Sequence, residues 1–121
     1  MRTAAITRTT RETDITLTLT LDGSGKTSLS TGIGFFDHML DALCRFGQLD
    51  LALTCRGDLH VDAHHTVEDV GICLGRALRD ALGDRAGIRR AASAYMPMDE
   101  ALAFAALDIS GRPYLGFDAE F

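Results

Sequence analysis

The sequence predicts an α+β fold: a β-β-β-α-β-α unit followed by the strands of a second copy. Three observations lead there. Residues 13–21, Thr-Asp-Ile-Thr-Leu-Thr-Leu-Thr-Leu, alternate polar and apolar with a period of two, the signature of a half-buried strand. Residues 35–46 and 63–82 change to helical spacing. A segment near the C-terminal end then repeats the pattern of the first strands at an offset of 86 residues.

Taken in order, residues 3–10 read as a strand, and residues 13–21 as another with Ile15, Leu17, Leu19 and Leu21 inward. Asp22-Gly23-Ser24-Gly25 is a turn, and residues 26–31 return as a hairpin partner. Phe36, Met39, Leu40, Leu43 and Phe46 fall on one helical stripe, with Gly47 as a natural C-cap. Leu49, Leu51, Leu53 and Cys55 alternate as a strand. Val67, Val70, Leu74, Ala77, Leu78 and Ala81 form the apolar face of a long helix, with Asp62 as N-cap and Gly83 at its end. Residues 95–98 and 101–109 read as strands, and residues 113–117 as a returning one.

The internal repeat aligns Asp14 with Glu100, Asp22 with Asp108, and Ser24-Gly25-Lys26 with Ser110-Gly111-Arg112. Repeats of this kind take priority in assigning architecture. They divide the chain into residues 1–87, a first α+β repeat, and 88–121, the strands of a second. Copies of His38, His64, His65 and Glu68 would fall near positions 124, 150, 151 and 154, past Phe121. The sequence is therefore expected to be the N-terminal part of a longer protein, because strands without helices leave an apolar sheet face uncovered.

At 121 residues, 46% hydrophobic and 24% charged, the chain reads as soluble and globular. A net charge of −5 argues against nucleic acid as partner. No apolar run approaches the roughly 18 residues of a membrane span, and the first eight residues lack a signal core. Cys44, Cys55 and Cys73 are odd in number and have no CxxC spacing. They read as reduced core thiols, and the expected location is cytoplasmic.

The chemistry concentrates in Asp62-Ala-His64-His65-Thr-Val-Glu68-Asp69. Imidazole and carboxylate together suit a divalent metal such as Mn, Fe, Co or Zn. On a helix, His64 and Glu68 are i,i+4 neighbours and His65 and Glu68 are i,i+3. The two histidines stand about 100° apart, so they could serve two metals. Taken alone, the motif could also be a solvated helix start, and His38 a hydrogen-bonded core residue. Likewise Glu12 alone is an ordinary strand-edge charge, Arg89-Arg90 a surface pair, Asp99-Glu100 the beginning of a strand, and His60 a strand-end surface residue. The Gly23–Lys26 segment lacks phosphate-loop spacing and reads as a turn.

Six segments in order resemble the imidazoleglycerol-phosphate dehydratase family of histidine biosynthesis: Arg11-Glu12-Thr13, Phe35–Leu40 (Phe-Phe-Asp-His-Met-Leu), Asp62–Asp69, Gly87–Arg90 (Gly-Ile-Arg-Arg), Pro97–Glu100 (Pro-Met-Asp-Glu) and Ser110–Tyr114 (Ser-Gly-Arg-Pro-Tyr). The resemblance implies duplicated half-domains and a homo-oligomer of 24 subunits with sites at subunit interfaces. It implies a dehydration of imidazole glycerol phosphate, a small-molecule phosphate substrate, to imidazole acetol phosphate. It also implies Mn2+, two per complete site, with His38, His64, His65 and Glu68 as first-half ligands. Glu12 is then the candidate acid/base. Arg90 and Arg112 match phosphate-binding arginines, and Asp99 a polar residue near the substrate. The rival readings are a non-catalytic metal-binding half-protein, assembling with itself or with a separate second half, and a two-metal hydrolase.

Overall fold

A computed structural model describes all 121 residues, Met1–Phe121. Its element order is β1 (Thr3–Thr9), β2 (Thr13–Thr20), β3 (Thr27–Ser30), α1 (Gly34–Gly47), β4 (Asp50–Gly57), α2 (His64–Leu82), β5 (Ala91–Met98) and β6 (Ala101–Asp108). The chain divides into two compact units, Met1–Asp84 and Arg85–Phe121.

The first unit has the expected β-β-β-α-β-α order. Its sheet runs β1-β2-β4-β3. β1 and β4 both pair antiparallel with β2, while β3 lies parallel to β4. The expected hairpin between the second and third strands is thus not formed, because β4 inserts between them. Asp50, at the start of β4, explains how. Its carboxylate accepts the backbone N–H groups of Ser24 (2.8 Å) and Lys26 (2.9 Å), so the polar 22–26 segment crosses over β4 instead of folding back. Gly23 lies so close to the Asp50 backbone that a Cβ there would collide with it.

The alternation in β2 has the consequence that the sequence requires. Ile15, Leu17 and Leu19 are buried, as are Leu51, Leu53 and Cys55 beside them on β4. Leu40 and Cys44 of α1 and Val70, Cys73 and Ala77 of α2 complete this single core. Burying each large side chain contributes about 2 kcal/mol. The opposite face is threonine-rich and polar. All three cysteines are free and buried, as expected.

The helix ends differ in detail from the sequence reading. Gly47 is the last helical residue, and Gln48 takes the left-handed conformation (φ 53°) and donates its N–H to Cys44 O. Only Leu40 and Cys44 of α1 are buried; Met39, Leu43 and Phe46 of the expected stripe are exposed, because the short β3 offers α1 a narrow platform. α2 is capped by Ala63 in position but by Asp62 in chemistry, whose carboxylate accepts the His64 N–H at 2.8 Å. Gly83 ends α2 with φ +55°. One polar cluster pins α2 to the sheet: Asp69 accepts the Thr13 hydroxyl (2.6 Å) and pairs with Arg8 (2.8 Å).

The second unit is the antiparallel hairpin β5–β6, turning at Asp99 (φ 50°) and Glu100. Its open end is closed as the β1–β2 hairpin is. Leu21 donates its N–H to Arg2 O at 2.9 Å, and Ile109 donates to Arg90 O at 3.0 Å. Arg2 forks onto Asp22, and Arg90 onto Asp108 (2.6 and 3.2 Å). The expected strand at residues 113–117 is absent; Pro113 lacks an N–H, and β5 and β6 pair only with each other.

Candidate metal and substrate site

The start of α2 carries the two histidines on different bearings. His64 Nε2 meets Glu68 Oε2 at 2.7 Å, one helical turn on, and both side chains are well exposed. His65, rotated about 100° around the helix, turns toward the end of β4, where its Nδ1 lies 2.7 Å from Asp58 Oδ2. The two rings meet edge to face at 5.4 Å. The hydrogen bond to Asp58 holds the His65 imidazole above its ordinary pKa, with Glu12 and Asp62 adding to the effect. β4 and α2 approach this closely because residue 57 is glycine, since a Cβ there would collide with the Thr66 hydroxyl.

Glu12 sits in the β1–β2 turn. Thr10 Oγ1 accepts the N–H groups of Glu12 and Thr13, both at 3.1 Å. The Glu12 carbonyl accepts the Asp58 N–H at 3.0 Å. A shallow cleft of about 310 Å³ is lined here by Arg11, Glu12, Arg56, Asp58 and His60 among others. The structure therefore gathers Glu12, Asp58 and His65. Asp58 and its tie to both were not singled out from sequence; the signal was an acidic residue next to a glycine at a strand end, which many turns share.

His38 is exposed on α1, and no group of three or more His, Cys, Asp or Glu residues is arranged to hold a metal ion. The donor chemistry is nonetheless suitable in part. His64 and Glu68 bring an imidazole nitrogen and a carboxylate oxygen to one point, which fits two positions of a coordination shell for a borderline divalent ion. The remaining donors would have to come from elsewhere than this one gathering.

In the second unit, Arg90 is engaged by Asp108, and this fork raises the guanidinium pKa and lowers that of the carboxylate. Arg112 lies in the Ser110–Arg112 turn, whose N–H bonds Ser110 Oγ at 3.1 Å. Asp99 is at the opposite end of the hairpin. The eight residues of β5 separate it from Arg90 by roughly 25 Å, so one small molecule cannot touch both in the same chain.

The site and fold define an α+β protein with a histidine–carboxylate pair at a helix start and a second histidine anchored on a half-buried aspartate. Comparison with known proteins gives the family. The model of imidazoleglycerol-phosphate dehydratase matches residues 31–121, and the chain belongs to that family. It is 64% identical over 120 residues to the imidazoleglycerol-phosphate dehydratase of Acidiphilium cryptum, covering 99% of this chain and 61% of that protein. The protein of the same name from Acetivibrio thermocellus is 60% identical over 115 residues, covering 95% of this chain and 59% of the relative. Among solved structures, imidazoleglycerol-phosphate dehydratase from Staphylococcus aureus superposes with a TM-score of 0.85 at 35% identity, over 98% of this chain and 64% of that one. The Pyrococcus furiosus protein gives 0.80 at 39%, over 95% and 60%. The chain thus spans about three fifths of the length of the relatives it matches. No helix is long and apolar enough to cross a membrane.

Proposed function

We propose that this chain serves a Mn-dependent hydro-lyase that converts imidazole glycerol phosphate to imidazole acetol phosphate in histidine biosynthesis, within a cytoplasmic homo-oligomer. Family membership supports the reaction. The observation that carries the site is the convergence of His64 Nε2 and Glu68 Oε2 at 2.7 Å. His64, Glu68, His65 and His38 would hold the metal ions. A bound divalent ion would supply Lewis-acid stabilisation of the charge that builds on the substrate imidazole as water is lost.

The chain's own residues do the rest. Glu12, fixed by its turn and adjacent to His65, is the group that moves a proton at the reacting carbon. Arg90 and Arg112 hold the phosphate by charge-assisted bonds, Arg90 through the guanidinium N–H groups that Asp108 leaves free. Asp99, roughly 25 Å away along β5, can act only on a substrate bound with the arginines of a different chain. That separation favours sites shared between subunits.

The test is turnover of imidazole glycerol phosphate by the purified chain with Mn(II), against an EDTA control, with mass measured by light scattering. Metal-dependent product from a defined assembly supports the reading. A discrete Mn-bound assembly without turnover supports instead the metal-binding half-protein that needs a separate second half.

A further inference from the structure

The two histidines make outwardly similar bonds to carboxylates, and their surroundings separate them. An ionised carboxylate only accepts hydrogen bonds, so in each pair the imidazole nitrogen carries the proton. The His64–Glu68 bond joins two exposed side chains, 65% and 57% accessible, and a cation can take the place of the shared proton. The His65–Asp58 bond is built differently. The Asp58 side chain is only 15% accessible. Its backbone is fixed on both sides, with its N–H donated to Glu12 O (3.0 Å) and its carbonyl accepting Val61 N–H (2.8 Å). Its other carboxylate oxygen is buried without a partner, so the side chain's hydrogen bond goes to His65 alone. That carboxylate, largely shielded from solvent and bonded to His65 alone, is placed to orient the ring.

We propose that Asp58 is a positioning residue. It holds the proton of His65 on Nδ1 and thereby presents the Nε2 lone pair, the nitrogen that then faces an incoming metal ion. Ligating histidines are commonly oriented in this way by an acceptor on the other ring nitrogen. Because Asp58 also bonds the Glu12 carbonyl, the same residue sets the spacing between the candidate proton-transfer group and this ligand. The inference rests on the reading of His65 as a metal ligand given above.

Two measurements separate the claims. Long-range 15N–1H correlation spectra of the metal-free chain at pH 8 report the tautomer. A titration with Mn(II) alone, followed by the EPR signal of the free ion, reports affinity. The expected result is Nδ1–H at His65 in the wild type, loss of that preference in Asp58→Ala, and an affinity for Mn(II) about 10–100-fold lower. Asp58→Asn, whose amide oxygen still accepts, restores the tautomer and most of the affinity, and it keeps the test open if the alanine variant does not fold. Nε2–H in the wild type, or an Asp58→Ala chain with unchanged tautomer or unchanged affinity, overturns the proposal. A wild type with Nδ1–H that binds no Mn(II) upholds the orientation and overturns the metal reading instead.

Discussion

The hairpins β1–β2 and β5–β6 share one construction and differ in environment. Both are antiparallel, both are closed by a backbone bond onto an arginine carbonyl, and in both that arginine forks onto an aspartate. In the first, Ile15 and Leu17 are 0% exposed. In the second, every residue of both strands is exposed. β2 alternates threonine with apolar residues, whereas β6 is apolar from Ala101 to Leu107 and still exposed, so the difference comes from what packs on the face and not from hydrophobicity. α2 lies across β1, β2 and β4 with Val70, Cys73 and Ala77, and β5–β6 has no helix of its own unit. Pattern selects the strand, and a covering layer turns it into a core.

The largest test of this contrast is truncation of one leucine in each hairpin. Leu17→Ala should cost about 4 kcal/mol, as a fully buried leucine does. Leu107→Ala, on a side chain 66% exposed, should change stability by less than about 0.5 kcal/mol. Urea unfolding followed by circular dichroism measures both. A large loss at Leu107 would show that the second hairpin is covered in solution, erasing the difference.

The ion pairs sharpen the comparison next. Asp69 is buried between Thr13 and Arg8, and Asp69→Ala leaves that guanidinium without its partner. A loss of about 3 kcal/mol is expected, the low end for a buried pair because Arg8 keeps some solvent. Asp108→Ala, which breaks the exposed fork with Arg90, should leave the urea midpoint where it is.

Gly57→Ala should cost about 1–3 kcal/mol through the clash with Thr66. Adding Thr66→Ala should recover part of it, a coupling read from the double-mutant cycle. If the two effects simply add, β4 and α2 are not in the contact described.

The smallest effect is in the acid limb. The Thr13 hydroxyl, then Arg8, hold the Asp69 carboxyl below its ordinary pKa. A depressed folded value means that its stabilisation is complete above an unfolded pKa of about 3.9 and is lost as pH falls through the folded value. Asp69→Asn should therefore flatten the fall in stability below about pH 4. Asp22, brought to about 2 by its hydrogen bonds with Arg2, follows the same sign but is fully exposed, so Asp22→Asn should barely alter the profile.

Much of the fold was legible because it depends on local period. The alternation at Ile15, Leu17 and Leu19 and the helical spacing at Val70 and Ala77 predicted both element type and core. The pairing of β3 was not legible. Asp22-Gly23-Ser24-Gly25 is a sound turn signal, yet the chain continues across β4 because the side chain of Asp50, 24 residues after Lys26, captures its amide. The buried stripe of α1 was overestimated for a similar reason, since a helical period states which side chains share a face and not how wide a surface receives them. In the site, the His64–Glu68 pair followed directly from i,i+4 spacing. Asp58 did not, because its contacts with Glu12 and His65 join three separate elements.

The sequence by itself determined most of the elements, the core face of β2, β4 and α2, the His64–Glu68 pair and the family, since these rest on residue type and short-range spacing. Only the tertiary structure decided the β1-β2-β4-β3 order, the burial of one hairpin and the exposure of its counterpart, and the bond between Asp58 and His65. Those depend on which distant segments meet. Long-range contacts of that kind are set by competition among surfaces and polar partners across the whole fold, which no local period records.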